Sequence, residues 1–210
     1  MACIVGRKIA MTQSFGAEGE MIPVTVVKAG PCKVISQRTK EKNGYTGIVL
    51  GFEEVEGSKL VKPLLGLFKK LSLPCFKVLR EFRDLEHAPG TDLDVSQFKE
   101  GDTLIVEGTS KGKGMTGVIK KWNYSRGRMS HGGNCKRKMG SSGMHTWPAR
   151  VLKGKKYAGR WGNDQITIRT VEVVKVIAED NLILLKGPLP GSPQSLLTLR
   201  KAPEKKKKAA

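Results

Sequence analysis

Fourteen lysines and arginines lie between residues 108 and 163 with no aspartate or glutamate among them, and the same window holds all three tryptophans and 12 of the 25 glycines. Lysine and arginine neutralise phosphates, glycine lets a backbone approach them closely, and indole rings stack on bases or sugar edges. The chemistry on offer is recognition of a polyanion. The phosphate candidates are Lys111, Lys113, Lys120, Lys121, Arg126, Arg128, Lys136, Arg137, Lys138, Arg150, Lys153, Lys155, Lys156 and Arg160, with His131, His145, Trp147 and Trp161 to stack or fill grooves. Trp122 reads either as a stacking residue beside Lys120 and Lys121 or as a core residue at a barrel edge.

Other chemistries fit the same residues less well. Gly112-Lys113-Gly114-Met115-Thr116-Gly117 matches G-x-G-x-x-G, but the following Val118-Ile119-Lys120-Lys121-Trp122 reads as β-like, and no acidic residue between Glu107 and Asp164 could take a ribose hydroxyl. The better account of Thr109 to Gly114 is a backbone that lies against phosphates and offers them N–H donors, with its lysines supplying charge. His131, Cys135 and His145 give three metal-capable groups at irregular spacing, so no metal or other cofactor is expected. Ser141, Ser142 and His145 share one loop without a carboxylate to orient the histidine, so an enzyme is not expected either.

The elements that must hold these residues are strands. The 210-residue chain carries a net charge of +19, yet residues 1–107 hold 15 basic and 14 acidic side chains, so the excess belongs to one region. Val- and Ile-rich runs at 4–12, 22–28, 33–37, 45–52, 103–107, 116–120, 165–177, 182–186 and 196–199 are bounded by turn residues, among them Asn43-Gly44 as a hairpin signal. These predict a mainly β protein: a closed or nearly closed antiparallel barrel from 1–52, 101–122 and 161–200, with an α+β insertion over 53–100 containing a helix at 63–71.

Residues 123–160 are expected to form an extended basic loop, and 201–210 are predicted to be a disordered lysine-rich tail. Eighteen residues out and eighteen back would span about 60 Å at most, and so little apolar surface cannot offset the entropy of ordering them. An external anionic scaffold is needed to fix the loop. No apolar run approaches the ~18 residues of a membrane span, nothing resembles a secretory signal, and four unpaired cysteines fit a reducing, cytoplasmic setting.

Several long runs carry a resemblance: VEGTSKGKGMTGVIKKW, SHGG, GSSG with Pro148, VLKGKKYAGRWGN, VVKVIAEDNLILLKGPLPG, and the opening GRKIAMTQSF and MIPVTVV. Together they resemble the universal large-subunit ribosomal protein number three, the L-three family, in its shorter bacterial-type form. The resemblance implies a translation-protein type antiparallel β-barrel bound to large-subunit ribosomal RNA near its 3′ end, an early role in nucleating subunit assembly, and an extension reaching toward the peptidyl transferase centre. It places the tip at Met144 to Pro148, and it implies large-subunit proteins fourteen and nineteen as neighbours. Some bacterial relatives carry a methylated glutamine in the tip; here Thr146 occupies that position, so side-chain amide methylation is not expected.

Overall fold

The computed structural model describes residues 2–16 and 18–203. In chain order the elements are β1 (Cys3–Phe15), β2 (Met21–Ala29), β3 (Cys32–Arg38), α1 (Lys40–Asn43), β4 (Gly47–Glu54), α2 (Lys62–Leu71), β5 (Phe76–Arg83), β6 (Asp92–Leu93), β7 (Thr103–Thr109), β8 (Met115–Thr116), α3 (Val118–Trp122), β9 (Gly159–Arg160), β10 (Gln165–Ile177), β11 (Leu182–Lys186) and β12 (Leu196–Lys201). They divide into two compact units: the chain up to Thr109 together with that from Gln165 onward, and Ser110–Asp164.

In the first unit, six antiparallel strands close a barrel in the order β1-β12-β7-β10-β11-β2. Alternation decides which side chains fill it: Leu104 and Val106 on β7, Ile183 and Leu185 on β11, and Leu197 and Leu199 on β12 are all fully buried. Each such side chain contributes roughly 1.5–3 kcal/mol by leaving water. Closure also leaves the barrel without a free hydrogen-bonding edge. Where β1 crosses β2, a Cβ on Gly6 would lie 2.6 Å from the Lys28 carbonyl oxygen, so only glycine admits this approach.

Strands β3 and β4 correct the expectation that the barrel includes everything up to residue 52. They pair instead in a second sheet of order β5-β4-β3-β6. Gly30, with φ of 77°, and Pro31 end β2 and turn the chain away, and the edge of β2 is taken by β11 with Ile183 opposite Val27. The two faces of the second sheet serve two cores. Val34, Ile48, Leu50 and Phe52 join the barrel core, while Ile35 and Phe76 pack with Phe68 of α2, the two phenyl rings edge to face at 6.1 Å.

Three smaller expectations also change. Asn43-Gly44 does not form a two-residue hairpin turn, since Asn43 ends the helical turn α1 and Gly44, with φ of 79°, caps it. The strand expected at 116–120 is reduced to Met115–Thr116, and Val118–Trp122 is helical. Lys201, assigned to the tail, is the last residue of β12 and pairs with Asp102 at 2.8 Å; 204–210 lie outside the described residues. Arg7 of β1 forms a bidentate pair with Glu53 of β4, which holds that carboxyl below the usual range. The Cys3 and Cys32 thiols are pushed up to about 12 by burial.

Candidate nucleic-acid interface

The second unit is held by its backbone far more than by a core. Its outgoing and returning chains run antiparallel from the base: the Ser110 N–H donates to Asp164 O at 2.9 Å, Lys113 N–H to Trp161 O at 2.8 Å, and Trp161 N–H to Gly114 O at 3.0 Å. From there β8 pairs with β9, Met115 opposite Arg160 and Thr116 opposite Gly159. Gly162 sits here at φ of 73°, where a Cβ would fall 2.1 Å from Lys111 O. The close crossing therefore requires glycine for both space and backbone.

This ladder revises the sequence reading of Thr109 to Gly114. The Ser110 and Lys113 N–H groups are paired with the returning chain, so the donors the segment keeps for a partner are narrowed to the Lys111, Gly112 and Gly114 N–H groups, beside the exposed side chains of Lys111 and Lys113. The rejection of a dinucleotide site changes its ground too. A helix does follow the glycines, but it is only five residues long, and no acidic residue occurs before Asp164.

Next to the ladder lies an aromatic and cationic knot. Helix α3 stops at Asn123, with φ of 56°, and is too short to persist alone. Its last residues are tied to the returning chain: Trp122 Nε1 donates to Tyr157 O at 2.8 Å and Lys121 Nζ to Arg160 O at 3.0 Å. The Lys121 and Lys156 ammonium groups lie 5.3 and 5.5 Å from the Trp122 ring centre, and Tyr124 Oη donates to Lys156 O at 3.4 Å. Trp122 is thus a pin of the basic unit and not a barrel-core residue. Lys113 Nζ stands 3.6 Å over the Trp161 ring, so one indole face is occupied by a cation.

Beyond the knot the chain is open. Gly127 N–H donates to Lys136 O at 3.0 Å and closes a loop that turns through His131 and Gly132, both at positive φ. At the far turn the Ser141 hydroxyl donates to Gly143 O, and His145 Nδ1 lies 2.9 Å from the Thr146 hydroxyl. Trp147 is 84% exposed. Within the unit only Thr116 and Val118 are buried.

Every candidate residue predicted from the sequence is exposed except Lys121 and Trp161, which are half-buried. The geometry brings together Lys113 with Trp161, and Lys121 and Lys156 around Trp122, with Lys121 also donating to the Arg160 carbonyl. Arg126, Arg128, Lys136, Arg137, Lys138, Arg150, Lys153 and Lys155 are spread along the open part. Among the described residues, no ion pair involves residues 110–163. Tyr124 and Tyr157 were not singled out in the sequence, although Tyr157 follows Lys155-Lys156 and carries the same signal as the tryptophans. No three His, Cys, Asp or Glu side chains among the described residues are placed to hold a metal ion, and no described helix is long and apolar enough to cross a membrane.

A closed antiparallel barrel joined to an acid-poor, glycine-rich basic segment defines a class of protein built to bind a polyanion over an extended surface. Residues 84–180 match the family described as Ribosomal protein L3. The chain is 45% identical over 205 residues to the large ribosomal subunit protein uL3 of Fervidobacterium nodosum, covering 96% of this chain and 99% of that one. The uL3 of Thermotoga maritima is 44% identical over 210 residues, 99% and 100% of the two chains, and that of Syntrophotalea carbinolica 46% over 203, 95% and 97%. The chain belongs to the ribosomal protein L3 family.

Proposed function

We propose that this protein is a structural, non-enzymatic component of the large subunit of the cytoplasmic ribosome, and that residues 110–164 bind large-subunit ribosomal RNA. One observation carries the reading: 14 cations on a segment with a single acid, Asp164, and almost no buried side chains, in a chain of this family. Such a surface has no use for its charge within the protein, and phosphates are the complementary partner. Shape readout fits better than base readout, since the cations are dispersed and the glycines follow a contour.

The finer reading follows the family resemblance. The barrel unit binds near the 3′ end of the large-subunit RNA and nucleates assembly, the segment around Met144 to Pro148 reaches toward the peptidyl transferase centre, and subunit proteins fourteen and nineteen are the neighbours. The near balance of charge over residues 1–107 suits protein-facing and solvent-facing surfaces. Co-sedimentation tests the proposal. The protein is expected to stay on large subunits through a moderate-salt wash and to be present in their early assembly intermediates. Loss in the wash, absence from intermediates and equal binding to unrelated RNAs would instead make it a general RNA-binding module acting off the ribosome.

A further inference from the structure

Residues 53–100 carry charge of both signs, and that balance conceals a second acid-free run. From Gly57 to Arg80 there are six cations, Lys59, Lys62, Lys69, Lys70, Lys77 and Arg80, and no aspartate or glutamate. Helix α2 occupies its centre. Phe68 is buried against Ile35 and Phe76, and opposite it, at steps of four residues, lie Lys62, Gly66 and Lys70, all exposed, with exposed Lys69 beside them. At 1.5 Å per residue this ridge is about 12 Å long.

The composition of the ridge does not serve the helix. A cation at the start of a helix opposes its dipole, and Lys62 is in the first turn with no acidic residue there to offset it. Gly66 is the least favourable ordinary residue for an exposed helix interior after proline, and a Cβ at that position would meet nothing within 4 Å. No internal packing accounts for its lack of a side chain. None of Lys59, Lys62, Lys69 and Lys70 is in an ion pair among the described residues. Two lysines flanking a glycine on an outward ridge repeat, on a helix, the combination that marks residues 110–164: point charge beside a backbone left bare for close approach.

We propose that the outer face of α2 is a second RNA-contacting surface, on which Lys62, Lys69 and Lys70 meet phosphates and Gly66 lets the nucleic-acid backbone lie against the helix. The inference rests on RNA being the protein's partner and adds a footprint separate from the basic unit. Filter binding of the full chain to a 23S-type ribosomal RNA transcript, over a salt series, tests it. The Lys62→Gln/Lys69→Gln/Lys70→Gln variant should bind at least about tenfold more weakly at 150 mM salt, with the slope of log K against log salt reduced by about 2–3. Gly66→Leu should melt no lower than the parent while binding several-fold more weakly. A triple variant within twofold of the parent with an unchanged slope, or Gly66→Leu with unchanged affinity, overturns the proposal. Failure of the parent itself to prefer this transcript over unrelated RNA would instead count against the ribosomal reading.

Discussion

The barrel unit and the basic unit solve the problem of ordering a chain in different ways. In the first, six strands enclose Leu104, Val106, Ile183, Leu185, Leu197 and Leu199, none of them accessible to solvent, and over residues 1–107 basic side chains nearly balance acidic ones, 15 against 14. In the second, Thr116 and Val118 are the buried side chains, and the shape is held by a short ladder, one tryptophan tied to a carbonyl, and turns at positive φ. A unit with a core can be specified by its own sequence. A unit with a surplus of cations and no core is specified jointly with a partner.

The comparison can be broken from either side. The largest effect is expected from the open part of the basic unit: replacing Lys136, Arg137, Lys138, Arg150, Lys153 and Lys155 with glutamine should flatten the salt dependence of RNA binding by about 4–5, at roughly 0.7–0.9 per phosphate contact, with barrel melting unchanged. If melting falls with affinity, the two units are not independent in the way described. Conversely, Leu199→Ala should destabilise the protein by about 2–5 kcal/mol in denaturant titration, because the closed barrel cannot collapse around the cavity.

Trp147→Ala sharpens the same contrast, since a tryptophan so exposed has no packing to lose. Stability should stay within about 0.5 kcal/mol, whereas loss of a stacking face should weaken RNA binding by about 1–3 kcal/mol. The smallest effect is expected at the Arg7–Glu53 pair. Because the pair lowers the Glu53 carboxyl, its stabilisation is full above the unfolded value near 4.3 and is lost as pH falls through the lower folded value. With both side chains about a quarter exposed, Glu53→Gln should cost about 0.5–1 kcal/mol at pH 7 and converge with the parent in acid unfolding curves.

Much of the barrel could be read from period-two patterning, and β10 and β11 have the bounds the sequence suggested. Strand pairing could not. Nothing local to residues 33–52 says that they leave the barrel, because the partner that replaces them on β2 lies more than 150 residues away at β11. Val118 to Trp122 misled for a similar reason: its β-branched residues favour a strand, but the Trp122 and Lys121 bonds to the returning chain fix a helical turn. The candidate site was legible through its missing acids. Which of its aromatics are pins and which are free faces was not, since Lys113 over Trp161 and the Trp122 indole N–H on the Tyr157 carbonyl are contacts across nearly 50 and 35 residues of chain.

The central claim is that RNA completes the order of the basic unit, and amide hydrogen exchange of the free protein and of its complex with a 23S-type ribosomal RNA transcript tests it most directly. In the free protein, amides between 125 and 156 should exchange quickly while those of β10 and β11 are protected, and RNA should extend protection to the former. Equal protection of both regions in the free protein, or no gain between 125 and 156 on binding RNA, would contradict the account.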